Sequence, residues 1–279
     1  MQRSDMVIQL KTNKGVTLIE LLIALVISSI LIAALYRVFI SQQKTYTVQE
    51  QVIDMQQNAR AGINRMMSEI RVAGFGNIGD VLGLVGGVNG FTQVITPGLN
   101  TITIVGGFKQ IRRDNGSPIL ISSVSGNMIT LNYATDDFDG TAHRFISIGG
   151  VESSTVLQRD VRVLTLSNTL KINHPVGTPI FKIQAITYTT GVSDGKPVLQ
   201  RNENTGGGRQ PLADNIENIQ FEYFDANGNP TVNPANIRMV KVTVNARTDM
   251  SDPQFKGGDG YRRRQIASNI YIRNMGLSP

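Results

Sequence analysis

Lys14-Gly15-Val16-Thr17-Leu18-Ile19-Glu20-Leu21-Leu22 opens an apolar run that continues to Tyr36. The twenty-one residues from Val16 to Tyr36 contain one charged side chain, Glu20. As a helix they would be about 31 Å long, enough to span a hydrocarbon core of about 30 Å. An ionised carboxylate at membrane depth costs several kcal/mol unless a partner compensates it. A simple anchor has no use for such a residue. Cutting the chain after Gly15 would free an α-amino group on Val16. That ammonium, on a neighbouring copy or a related subunit, can neutralise Glu20 as two such helices come together. A secretory signal peptide fits less well, because its apolar core is shorter and closes on a small-residue cleavage site.

Working outward, no proline follows Arg37 until Pro97, and Gly62 is the only glycine between Val16 and Gly74. The helix is therefore predicted to continue to about Ala73, with Gly74 as its stop. Apolar side chains fall at Val48, Val52, Met55, Ala59, Ile63, Met66 and Ile70. Their steps of three and four residues make one helical face, which predicts an amphipathic outer half lying on a folded domain. Residues 16–40 form the apolar half and residues 41–73 the amphipathic half. At 1.5 Å per residue the whole helix from Val16 would measure about 85 Å.

Residues 74–100 are glycine-rich and contain no phosphate-binding G-x-x-x-x-G-K-[ST] pattern, so they read as a flexible connection. Residues 101–279 alternate in short runs. Strands are predicted at 101–105, 119–124, 128–133, 144–148, 161–166 and 180–189. The clearest patterns follow at Ile219, Phe221 and Tyr223, at Val240, Val242, Val244 and Ala246, and at Ile266, Ile270 and Ile272. Period-two patterning fits half-buried antiparallel strands. Turns are expected at Asp114-Asn115-Gly116, Asp194-Gly195 and Asn227-Gly228-Asn229. The fold class is α+β, a long N-terminal helix packed on an antiparallel β-rich domain.

Composition narrows the function. The chain carries 27 Lys and Arg against 21 Asp and Glu. That excess is too small to argue for a nucleic-acid partner. Arg3, Lys11 and Lys14 outnumber Asp5 before the apolar run, which puts the N-terminus on the cytoplasmic side. There is no Cys, so burial and hydrogen bonding alone must hold the outer domain. With two His and no nucleophile–base or metal-ligand motif, the inventory points away from an enzyme and from any cofactor. His174, before Pro175, reads as structural. Asp136, Asp137 and Asp139 near His143 read as a solvated loop rather than a metal site. Asp225-Ala226-Asn227-Gly228-Asn229 begins like a calcium loop but has Asn236 where an acidic twelfth residue is required. Arg262-Arg263-Arg264 reads as an edge strand guarded by charge.

The stretch Lys-Gly-Val-Thr-Leu-Ile-Glu-Leu resembles the processing signal of type IV pilins and type II secretion pseudopilins. By that resemblance residues 1–15 are a leader removed by a prepilin peptidase after Gly15. Val16 becomes the N-methylated mature N-terminus, and Glu20 is the fifth mature residue, the charge-pairing acid of assembly. Val16 departs from the commoner Phe or Met, and Arg37 replaces the proline that many major pilins carry there. Met55-Gln56-Gln57-Asn58-Ala59-Arg60, the run from Met67 to Phe75, and the run from Leu212 to Tyr223 are similar to PilW-type minor pilins. The resemblance implies a non-enzymatic subunit that helps initiate pilus assembly. Its expected partners are other minor pilins, the major pilin, the prepilin peptidase and the inner-membrane assembly platform. It would pass once through the bacterial inner membrane, with its body in the periplasm, and then enter the fibre. A J-type minor pseudopilin is the nearest alternative, and a fibre-displayed adhesin or DNA-binding subunit is a further one.

Overall fold

The absence of proline before residue 97 lets helix α1 run unbroken over Leu18–Arg71. The computed structural model describes residues 15–140 and 142–275. Of the leader expected at 1–15, only Gly15 lies within the described residues, and the cations Arg3, Lys11 and Lys14 lie outside them. The chain divides into two compact units, Met1–Glu50 and Gln51–Pro279. In the first unit no described residue is buried.

In the second unit α1 buries Met55, Ala59, Ile63, Met66 and Ile70, the outer part of the stripe that the spacing predicts. Val52 packs half-buried at its edge. Gly62 lies on the same face. A Cβ added there would stand 2.8 Å from the Ala213 Cβ, so glycine permits a close approach of helix to sheet. The helix ends at Arg71, two residues before the predicted Ala73. Val72 and Ala73 donate to the carbonyls of Glu69 and Ile70, a tighter three-residue spacing that closes the last turn. Gly74, at φ 80°, then turns the chain and donates to the Val105 carbonyl.

The glycine-rich connection contains more than expected. It holds a short helix α2 (Gly79–Leu82) and strand β1 (Ile95–Pro97), and it buries Ile78, Val81, Val88 and Ile95. Twelve strands follow: β2 (Thr101–Gln110), β3 (Ile121–Ser125), β4 (Met128–Leu131), β5 (Phe145–Ile148), β6 (Glu152–Asp160) and β7 (Val163–Leu166), then β8 (Ile180–Ser193), β9 (Lys196–Asn202), β10 (Arg209–Asp214), β11 (Ile216–Phe224), β12 (Met239–Arg247) and β13 (Arg263–Tyr271). Every strand pairing is antiparallel. One sheet of ten strands runs β1-β2-β8-β5-β6-β7-β4-β3, with β9 also on β8 and β10 on β9. A second sheet has the order β11-β12-β13.

Strands β1, β6, β9 and β10 escape the alternation rule for visible reasons. Pro97, Pro197 and Pro211 fall in β1, β9 and β10, and β6 buries Glu152, Ser153, Ser154 and Thr155 in succession. The long strand β8 organises the larger sheet, pairing β2 along one side and β5 then β9 along the other. Its hairpin with β9 turns at Asp194-Gly195, both at positive φ, as a two-residue loop requires.

Three apolar clusters fill the second unit. The largest joins the α1 stripe to β1, β2, β8, β9 and the three-stranded sheet. A second lies among Ile121, Ile129, Leu131, Ile146, Leu164 and Ile180, and a third under α2. One carboxylate crosses the first cluster. Glu69 of α1 is 5 % exposed and accepts hydrogen bonds from Tyr188 Oη of β8, from Arg201 Nε of β9 at 3.1 Å and from Arg65 Nε at 2.7 Å. Burial, reinforced by the adjacent Glu69 charge, holds the Tyr188 hydroxyl far above its ordinary pKa. Burial would lower the Arg201 pKa, but its hydrogen bonds to Glu203 and Glu69 outweigh this and raise it. The hydrogen bonds from Tyr188 and Arg201 to Glu69 tie the helix to β8 and β9 and fix its register on the sheet.

Tyr188→Phe should leave the fold intact and remove one hydrogen bond to a buried charge. The expected cost is about 2 kcal/mol, read as a fall of roughly 4–8 °C in the thermal midpoint of the detergent-solubilised chain. An unchanged midpoint would show that Glu69 is held by its arginines alone.

Candidate functional site

The start of α1 is built by two side chains. Thr17 precedes the first helical residue, and its backbone N–H donates to Glu20 Oε2 at 2.9 Å. The Thr17 hydroxyl donates to the same oxygen at 2.9 Å, and the Glu20 N–H donates back to Thr17 Oγ1 at 3.3 Å. This is a reciprocal capping box, in which a Thr and a Glu three residues later satisfy each other's free amides. The residue pattern Thr-x-x-Glu before an apolar run carries that signal, which the membrane cost of Glu20 alone does not reveal. Glu20 thus has an intramolecular role as well as any intermolecular one. Its Oε2 is engaged, while Oε1 accepts no hydrogen bond among the described residues.

Gly15 and Val16 precede the cap and are exposed, outside regular structure. A Cβ at Gly15 would meet nothing within 4 Å, and its backbone is not in the left-handed region. Packing among the described residues does not require glycine there. A requirement for it would have to come from another molecule that grips this backbone closely.

Behind the cap, large apolar side chains from Leu18 to Phe39 all stand exposed, among them Leu21, Leu25, Ile32 and Leu35. The most apolar 18-residue window of α1 has none of its residues buried. Polar side chains inside this stretch are satisfied locally, as Ser29 Oγ donates to the Leu25 carbonyl at 2.7 Å. A helix apolar all round and covered by none of the described residues needs lipid or neighbouring helices to cover it.

The other candidates fall to structural roles. His174 Nε2 lies 2.9 Å from Glu152 Oε2, both buried, and Glu152 also accepts the Lys171 and Ile172 amides. The pair ties the 171–174 loop to β6. Asp136 is bound by Arg159 at 2.6 Å, and Asp137 faces Lys109 and Lys182 at 3.8 Å. No group of three His, Cys, Asp or Glu suited to a metal occurs among the described residues. Asp225 caps its own turn, accepting the Asn227 and Asn229 amides. In the arginine run, Arg262 binds Asp252 at 2.8 Å and holds that carboxyl below the usual range. Arg263 binds Glu217 and Asp259, each at 2.7 Å. The run does open an edge strand, β13.

Comparison with known proteins adds one finding. Residues 10–36 match the family model described as the prokaryotic N-terminal methylation motif. No curated protein and no solved structure matches the chain. The match covers the Gly15–Val16 junction, the capping box and the apolar run. It supports a type IV pilin-like or pseudopilin-like protein, a structural class, and with the bare helix it points to a membrane-anchored bacterial protein.

Thr17→Ala should remove the cap at a cost of about 1 kcal/mol. Amide exchange at residues 18–21 in micelles should then quicken roughly fivefold, with Thr17→Ser close to wild type. Equal exchange in all three proteins would show that the cap contributes nothing.

Proposed function

We propose that this chain is a PilW-type minor pilin, a non-enzymatic subunit that helps initiate type IV pilus assembly. The observation that supports it most is the segment Gly15–Phe39: exposed residues at the junction, a capped acid, and an apolar helix that the described residues leave uncovered. A prepilin peptidase cuts after Gly15, and Val16 becomes the N-methylated N-terminus. The capping box lies wholly on the mature side of that cut, since it uses only Thr17 and Glu20.

Before assembly α1 stores the subunit in the inner membrane, with the β-rich unit in the periplasm. Lipid already hides the apolar surface, so moving it into a bundle of sister helices gains little hydrophobic free energy. Direction comes from the acid. Thr17 satisfies one oxygen of Glu20 in the stored subunit, and a neighbour's Val16 ammonium pairs with the other on assembly. That pairing relieves a charge whose cost in hydrocarbon is a few kcal/mol. The inner-membrane assembly platform supplies the work, and the other minor pilins and the major pilin supply the neighbouring helices.

Mass spectrometry of the N-terminal peptide from envelope fractions should find N-methyl-Val16. A retained leader would refute the reading. Gly15→Asp should block the cut. Glu20→Gln should be cut normally yet recover several-fold less partner pilin in pull-downs, with few surface fibres. Normal fibres in that variant would end the charge-pairing mechanism.

A further inference from the structure

The outer strand of any sheet presents backbone groups that can pair with another chain, and folded proteins blunt such edges. Most outer strands here are blunted. β1 has three residues and includes Pro97. β3 shifts register between Ile121 and Ser123, and β10 carries both Pro211 and a shift before Ala213. β11 shifts between Ile216 and Asn218, and its Phe221 amide is taken by the Leu99 carbonyl.

β13 differs. It pairs with β12 at nine consecutive positions without a shift, contains no proline, and has no strand on its other side among the described residues. Ala267, Asn269 and Tyr271 stand exposed along it and carry no charge. Its only guard is the arginine run at its start, and two of those arginines are already held by Asp252, Glu217 and Asp259. Arg264 forms no ion pair among the described residues, and neither does Arg60 of α1. Both are exposed, and together with Gln56, Gln265 and Ile266 they line an open cleft of about 260 Å³ beside the strand. β13 itself has no acidic residue.

We propose that β13 is a strand-addition edge for an extended, Asp- and Glu-bearing segment of another polypeptide, whose carboxylates meet Arg264 and Arg60. Backbone pairing supplies the affinity of such a contact, and side chains at its ends set the partner. A second copy of this chain fits less well. Two β13 strands set antiparallel about Ala267 would place Arg264 opposite Ile270, leaving both cations uncompensated. A nucleic-acid duplex would meet the arginines but could not satisfy a row of backbone amides. The proposal goes beyond the fibre reading and does not need it, since a subunit of any assembly can use such an edge.

The test uses the full chain in detergent and a fluorescent, end-blocked peptide of the length of β13 that alternates Glu and Val. A Lys–Val peptide is the control. The acidic peptide should bind, protect β13 amides from hydrogen exchange, and lose about tenfold in affinity to Arg60→Gln/Arg264→Gln. The Lys–Val peptide should not bind. Both substitutions are on the surface, and an unchanged thermal midpoint verifies the fold. Absence of binding, protection elsewhere than β13, or equal affinity of the double variant would overturn the proposal. So would displacement of the peptide by a short DNA duplex, or β13 protection that rises with protein concentration and needs no peptide. None of these results depends on leader cleavage or fibre formation.

Discussion

Apolar surface must be covered, and α1 meets that constraint in two different ways along one helix. From Met55 to Ile70 its stripe is buried by the sheets of its own chain. From Leu18 to Phe39 its large apolar side chains are exposed, covered by none of the described residues. Helical periodicity explains the difference. A stripe repeating every three or four residues has one face to bury, whereas an all-round apolar helix has no face suited to water. The uncovered segment therefore implies a second medium, and that inference needs no knowledge of the sheets.

Charge is placed with similar economy. The two acids on α1 that matter are held by different means. Glu20 is satisfied by the backbone and hydroxyl of Thr17 within one turn, a local device that survives any arrangement of the rest. Glu69 is held by Arg65 one turn back, but its other oxygen is satisfied by Tyr188 and Arg201, more than a hundred residues away, and so depends on the completed fold. Removing one partner from a buried charge costs far more than removing an exposed pair. Glu69 thus specifies how the helix seats on β8 and β9, while Glu20 remains available for an event between molecules.

The reading of Glu20 shows how much a short pattern can hold. Membrane cost alone made it an acid in search of a partner. The structure adds that Thr17 already provides one, and the pattern Thr-x-x-Glu was there to be read. The arginine run shows the converse. Its residues looked equivalent in the chain, yet Asp252, Glu217 and Asp259 hold two of them and leave Arg264 beside Arg60.

By itself the sequence determined the helix, its division into a bare half and a striped half, and the strands whose apolar residues alternate. Those features follow from local periodicity and from single residues such as Glu20. Only the tertiary structure decided the two sheets and their strand order, because antiparallel partners are chosen by side-chain fit between distant segments. It also decided the strands with proline or buried hydroxyls, and the order within residues 74–100. Polar groups such as Ser153 and Glu152 become strand interior only when partners elsewhere satisfy them, as Asn77 and His174 do. No local pattern contains that information.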